Sequence, residues 1–235
     1  PMLVRYRAMV RAKVSAIEAG EAEQPADKPA AAAATAATYL RLAAVSAIEE
    51  DGPWWLLFCG PPASGKSHLA AALAEVSRRG WPILASDRIR KELAGVAPTE
   101  TLASDGYTAD FSRWTYAELR RRAEDLTSGS GLVILDANFR AREERSQAFT
   151  AAKAAGAKLA IVRIETDERV VRRRLAARAD DPASVSDADL AVYEKLKSAF
   201  EPPGEEEADR LLSVSGETGT DAAVEEILIR LARGR

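Results

Sequence analysis

Four groups of residues in this 235-residue chain have the types and spacing to do chemistry on a phosphate. The first is Gly60-Pro61-Pro62-Ala63-Ser64-Gly65-Lys66-Ser67, a G-x-x-x-x-G-K-S run followed by His68. Gly60 permits a sharp turn. Backbone N–H groups between Pro62 and His68 can then wrap a phosphate at the positive end of the following helix. Lys66 has the reach for β- and γ-phosphates, and the Ser67 hydroxyl is a ligand for Mg²⁺. An apolar run, Leu56-Leu57-Phe58-Cys59, precedes the glycine, and an Ala/Leu-rich helical pattern follows. Strand, loop and helix in that order give the motif its context, which predicts nucleoside triphosphate binding.

The second group is Asp87 with Arg90, just after Trp81-Pro82-Ile83-Leu84-Ala85-Ser86. A carboxylate at a strand end beside a γ-phosphate can accept the proton of an attacking hydroxyl. Arg90, nearly one helical turn on, shares its face and can bind the acceptor or steady the transferred phosphoryl. Without the phosphate loop, Asp87 would read as a helix cap and Arg90 as a solvated charge. The third group closes Leu132-Val133-Ile134-Leu135-Asp136, the pattern of a strand whose terminal carboxylate supports Mg²⁺, often through water. Asn138 and Arg140 follow it as candidate acceptor contacts.

The fourth group is the arginine series Arg169, Arg172, Arg173, Arg174 and Arg178. Arg174 and Arg178 are four apart and share a helix face, so they can close over ATP as a lid and stabilise charge on the phosphates. The alternatives are a solvated basic face or a nucleic-acid patch. A second basic run, Arg120-Arg121-Arg122, reads as solvated. The single histidine, His68, leaves no basis for histidine acid–base catalysis or a Cys/His zinc site.

Elements that alternate strand and helix from Trp54 onward must position these groups, which predicts an α/β fold with a parallel sheet. Strands are expected at Trp54–Gly60, Trp81–Ser86, Leu132–Asp136, Lys158–Glu165 and Arg210–Ser215. Helices are expected at Ser67–Arg79, Asp87–Leu93, Asp110–Leu126, Glu143–Ala155, Glu168–Ala179, Asp187–Phe200 and Asp221–Arg233. Phe111, Trp114, Leu119 and Ala123 are the expected inner side of the long middle helix. Residues 53–235 thus form the predicted catalytic domain, and 1–52 a helical appendage. That appendage holds one helix from about Leu3 to Glu18, with Val4, Met9, Val10, Val14 and Ile17 at helical spacing. A second is expected from about Ala30 to Glu49, stopped by Asp51-Gly52-Pro53.

Composition sets outer bounds. An apolar fraction of 47% suffices for an ordinary core, and a formal charge of −3 gives no global attraction to nucleic acid or membrane. Cys59 is the only cysteine, so no intrachain disulfide forms, and a reducing cytoplasm is the expected compartment. Its place at the end of a buried strand reads as a small core filler. No stretch is expected to reach the roughly 20 apolar residues of a membrane span. The opening Pro1-Met2-Leu3-Val4-Arg5 lacks the apolar core of a secretory signal.

Taken together, the motifs carry a resemblance. Gly60–Ser67, Ser86–Gly95, Tyr107-Thr108 through Leu119, Val133–Phe139, Arg172–Arg178, Asp189–Tyr193 and Phe200-Glu201-Pro202 resemble the P-loop kinases grouped with zeta-toxin-like and AAA-type small ATPases. The resemblance runs from about Trp54 to the C-terminus. It implies a three-layer α/β/α sandwich with a five-stranded parallel sheet and a helical lid. The chain is also similar to the C-terminal kinase module of two-part proteins whose N-terminal half resembles aminoglycoside phosphotransferases. The stretch Tyr6–Val14 looks like the tail of such a half, so the chain reads as a fragment.

The 5′-kinase domain of phage-type polynucleotide kinases is similar too. That likeness places the reaction on Lys66, Ser67, Asp87, Arg90 and Arg178. The acidic overall charge departs from a strand-binding protein, and a likeness to gluconate- and antibiotic-phosphorylating kinases points to a small alcohol. The expected activity is ATP- and Mg²⁺-dependent transfer of the γ-phosphate to a small-molecule hydroxyl. The alternatives are a polynucleotide 5′-hydroxyl kinase and a regulatory ATPase that needs no acceptor.

Overall fold

A computed structural model describes residues 2–20, 28–100, 102, 104–179 and 190–234. The chain divides into two compact units, Pro1–Gly52 with Glu225–Arg235, and Pro53–Val224.

The first unit is built on α1 (Met2–Gly20) and α2 (Lys28–Glu50). Arg5 near the start of α1 pairs with Glu50 at the end of α2 at 3.1 Å, so the helices run antiparallel. Their packing differs from the predicted apolar rhythm. The buried face of α1 is Ala8, Ala12 and Ser15, whereas Val4, Met9, Val10, Val14 and Ile17 are exposed. An alanine-rich partner accepts close approach by small side chains, and the larger ones are turned outward. By length and composition alone, α2 is apolar enough to cross a membrane, which corrects the expectation that no stretch comes near that limit. Alanine supplies most of that apolarity.

The second unit is organised by a five-stranded sheet in the order β2-β3-β1-β4-β5, every neighbouring pair parallel. Its strands are β1 (Trp54–Cys59), β2 (Ile83–Ala85), β3 (Leu132–Asp136), β4 (Lys158–Glu165) and β5 (Leu211–Ser215). The crossovers are α3 (Lys66–Glu75), α4 (Ser86–Ala94) and α5 (Ala109–Thr127), α6 (Arg142–Ala154), then α7 (Glu168–Ala179) and α8 (Leu190–Ser198). The closing helix is α9 (Thr220–Ala232), whose residues fall in both units. β1 and β3 are buried at every position, as strands covered on both faces must be. The expected three-layer α/β/α fold is the one present.

Differences from the predicted elements have local causes. β2 is shorter than Trp81–Ser86 because Pro82 has no N–H to offer the ladder and Ser86 already opens α4. Neither Ser86 nor Asp87 caps that helix; the N-cap is Ala85. The buried stripe of α5 runs through Tyr116, Leu119, Ala123 and Thr127, which leaves Trp114 52% exposed rather than inward. Trp114 instead packs edge-on against Phe111, ring centroids 5.4 Å apart. Residues 180–189 of the expected Asp187–Phe200 helix and its approach lie outside the described residues.

One buried ion pair ties the late loops to the sheet. Arg145 of α6 meets Glu207 through Nε at 2.8 Å and Nη2 at 2.9 Å. Its Nη1 also donates to the carbonyls of Phe139 and Glu201, both at 2.9 Å. Burial raises the Glu207 carboxyl, but the hydrogen bonds and charge of Arg145 more than offset this and hold it below the usual range. Its stabilising contribution is therefore present above the ordinary glutamate range and is lost as pH falls through the lowered folded value. Arg145→Met strands a buried carboxylate and two carbonyl acceptors, so it should cost about 3–5 kcal/mol. Urea unfolding with a midpoint close to the unchanged protein would contradict this.

Candidate functional site

The phosphate loop follows β1 and is shaped by backbone that few residues adopt. Gly60 has φ 143°, Ala63 59° and Gly65 108°, so consecutive peptide N–H groups turn inward to make an anion-binding concavity. A side chain at Gly60 would also meet the Ile164 carbonyl at 3.1 Å. Gly65 is the N-cap of α3 and supplies no capping side chain, which leaves the first N–H groups of that helix for a ligand. Lys66 is nearly buried, and its Nζ donates to the carbonyls of Gly60 at 3.0 Å and Pro61 at 2.7 Å. Ser67 is exposed. His68 is exposed as well, and its ring shares a hydrogen bond with the Thr220 hydroxyl at 3.1 Å. Its side chain thus serves the start of α9.

Strand register brings the site's two carboxylates to the same edge as the loop. Asp136 pairs with Phe58 of β1 on one side and Ala85 of β2 on the other. The loop begins two residues past Phe58, and Asp87 lies two residues past Ala85. Carboxyl ends of parallel strands are where α/β proteins bind ligands, and all three groups sit there. Asp136 is buried, while Asp87 is half-buried in the first turn of α4, where the helix dipole favours its negative charge.

Arg90 is buried and already engaged. Its Nη1 donates to the Gly106 carbonyl at 2.8 Å and to Ser112 Oγ at 3.3 Å, and its guanidinium stacks 5.2 Å from the Tyr107 ring. It therefore ties the short 3₁₀ turn Ser104–Tyr107 to α4. Asn138 and Arg140 are half-buried at the end of β3. Between them Phe139 takes φ 42°, a conformation costly for a non-glycine residue. Tyr116 Oη accepts the Phe139 N–H at 3.1 Å, and the two rings meet edge to face at 5.3 Å. Burial, with the negative charge of Glu144 in support, pushes the Tyr116 phenol well above its ordinary range, so it stays neutral. Neither Tyr116 nor the strained Phe139 announces itself in the sequence, because no local pattern marks a single left-handed phenylalanine.

Arg174 reaches the loop itself. Its guanidinium donates to the carbonyls of Ala63 at 3.3 Å, Ser64 at 3.0 Å and Gly216 at 2.8 Å. Thr166 Oγ1 adds a bond to the Ser64 carbonyl at 2.8 Å. Gly216 must be glycine here, since a Cβ would lie 2.1 Å from Thr166 Oγ1 and 2.4 Å from the Ser64 carbonyl. Arg174 thus braces the loop through its backbone. The Arg178 side chain lies outside the described residues. In the other basic run, Arg121 and Arg122 share Glu118, and Arg122 also reaches Glu92. Burial pushes the Cys59 thiol up to about 11, which suits a core filler.

Among the described residues no three His, Cys, Asp or Glu side chains converge on a point. Mg²⁺ needs few protein ligands when phosphates supply the rest. The exposed Ser67 hydroxyl and the Asp136 carboxylate fit that demand, one for direct ligation and one through water.

A family model described as an AAA domain matches residues 56–203. No curated protein matches the chain. Solved structures do. A gluconokinase from Sinorhizobium meliloti 1021 is 23% identical at a TM-score of 0.53, over 77% of this chain and 93% of that one. The Mycobacterium tuberculosis APS kinase CysC, in complex with AMPPNP and APS, is 19% identical at 0.52, over 77% and 98%. Chaetomium thermophilum Kti12, in complex with ADP-AlF3, is 16% identical at 0.57, over 75% and 98%. At these identities the likeness is one of fold.

Arg174→Ala removes three charge-assisted bonds from the loop and its neighbour, each worth about 1.5–3 kcal/mol. ATP affinity measured by equilibrium binding should fall at least about tenfold, roughly the effect of 1.4 kcal/mol. Gly216→Val, which keeps the arginine but displaces the Ser64 carbonyl, should do likewise. Undiminished binding in both would show that the loop needs no brace.

Proposed function

For a chain that belongs to this AAA domain family, we propose an ATP- and Mg²⁺-dependent phosphotransferase that moves the γ-phosphate to a hydroxyl of a small molecule. The observation that carries this reading is the strand register, which sets Asp136 between the root of the phosphate loop and the root of Asp87. Lys66, the loop N–H groups and the start of α3 hold the phosphates. Bound Mg²⁺ would neutralise the β- and γ-oxygens, held by Ser67 and supported by Asp136. Asp87 accepts the proton as the acceptor oxygen attacks phosphorus, and the bond to the bridging oxygen of ADP breaks. Arg90, with Asn138 and Arg140, borders the acceptor. Arg174 keeps the loop in shape, and Arg178 is assigned to the lid.

A pure nucleotide switch has no use for a carboxylate at the second strand end. The similar gluconokinase and APS kinase are by name kinases of small molecules, which supports the same class here.

Transfer is best followed by ³¹P NMR with candidate alcohols and Mg·ATP. Asp87→Asn should leave ATP binding within about twofold and slow transfer about 10²–10⁴-fold, the usual contribution of a positioned base. Lys66→Ala should weaken both. Chelation of Mg²⁺ with EDTA should abolish transfer, and restored Mg²⁺ should recover it. Retained transfer in Asp87→Asn would remove Asp87 from the mechanism.

A further inference from the structure

The face of α5 that carries Tyr116 has one polar rung more than the fold uses. Ser112, Tyr116 and Arg120 follow at four-residue spacing and share that face. Ser112 accepts from Arg90, and Tyr116 accepts from Phe139. Arg120 is half-buried, and its Nη1 is buried with no hydrogen-bond partner. In the first turn of α6, Glu144 is in the same condition. One side of its carboxylate takes the Ala141 N–H, while Oε2 is buried and unpartnered. Arg90 Nε is a third such atom.

Hydrogen bonds bring their elements together: Arg90 of α4 binds Ser112, one turn before Tyr116, and Phe139 joins Tyr116 to Arg145, the residue after Glu144. The charges of Arg120 and Arg140 act on Glu144, and those of Glu144, Arg90 and Asp87 all act on Tyr116. Burial disfavours the charged form of both Arg120 and Glu144, yet the two form no ion pair that would relieve it. Native proteins seldom leave buried polar atoms unmatched, and three on the elements that meet at Tyr116 call for a ligand.

We propose that Arg120 and Glu144, with Arg90 Nε, are the acceptor-recognition subsite, and that the acceptor is a polyhydroxylated small molecule. Two unmet donors and one unmet acceptor need ligand atoms that both accept and donate. A hydroxyl does both, and a vicinal diol can bridge a guanidinium and a carboxylate. An anionic group would face Glu144, and an ammonium would face Arg120, each against like charge. The subsite rests on the kinase reading only for the role of its ligand, since recognition itself needs no transfer.

Binding and transfer therefore separate the two. Isothermal titration in the presence of Mg·ADP would compare D-glucose, myo-inositol and erythritol with ethanol and ethanolamine, using the full chain and its Arg120→Met and Glu144→Gln variants. At least one polyol should bind, the monohydric compounds should not, and each variant should weaken the polyol at least about tenfold. Both variants should keep their Mg·ADP affinity, which shows an intact fold. Where transfer occurs, KM for the polyol should rise and kcat hold. Absence of polyol binding, or equal binding in both variants, overturns the subsite. A polyol that binds through Arg120 and Glu144 but is never phosphorylated overturns the kinase reading and leaves the subsite standing.

Discussion

The backbone at Asn138 and Phe139 is the joint on which the site depends. The Asn138 carbonyl accepts the Gly60 N–H at 3.2 Å, so the turn after β3 and the first residue of the phosphate loop are held together. One residue later the chain is forced into a left-handed conformation that costs about 1–3 kcal/mol. Tyr116 from α5 takes the N–H, Arg145 from α6 takes the carbonyl, and the Cys59 thiol approaches that same carbonyl at 3.9 Å. Arg145 is in turn fixed by Glu207, ahead of β5. Each partner comes from a different element, so the conformation is over-determined. Its consequence is that the loop root, the end of β3 and the α5 face are bonded to one another.

From that joint the division of labour follows. On one side, Lys66 and the N–H groups of the loop and α3 answer negative charge, with Arg174 of α7 and Thr166, just past β4, holding the loop carbonyls. On the other side, Asp87, Arg90 and the α5 residues Ser112, Tyr116 and Arg120 carry both donors and acceptors. A phosphate donor suits the first surface and a hydroxyl compound the second, with Asp136 between the two strand ends. Preorganised polar groups of this kind act without reorganising when charge moves.

Much of this was legible in the residues. The loop motif carries its own context, because an apolar strand before it and a helix after it leave few alternatives. The β4 boundaries match the periodic reading, since the apolar run ends there abruptly. Asp136 was legible as a strand terminus, but its place between β1 and β2 comes from the strand order, which no local pattern encodes. Arg90 and Arg174 were legible as charges near the loop. Their engagement with the carbonyls of Gly106, Ala63, Ser64 and Gly216 was not, because those partners lie far off in sequence. Trp114 misled because aromatic size suggests burial, while the phase of the α5 stripe is set by Tyr116, Leu119 and Ala123. In α1 the same bias toward large side chains hid a contact made by alanines and a serine.

In the proposed reaction, loop, metal support and base converge on one phosphorus. A crystal structure with a non-hydrolysable ATP analogue and Mg²⁺ would show whether they do. The expected arrangement is a γ-phosphate held by Lys66, Mg²⁺ on the Ser67 hydroxyl with Asp136 behind its water, and Asp87 one hydroxyl's width from the phosphorus. A γ-phosphate turned away from Asp87, or Mg²⁺ bound without Ser67, would contradict it.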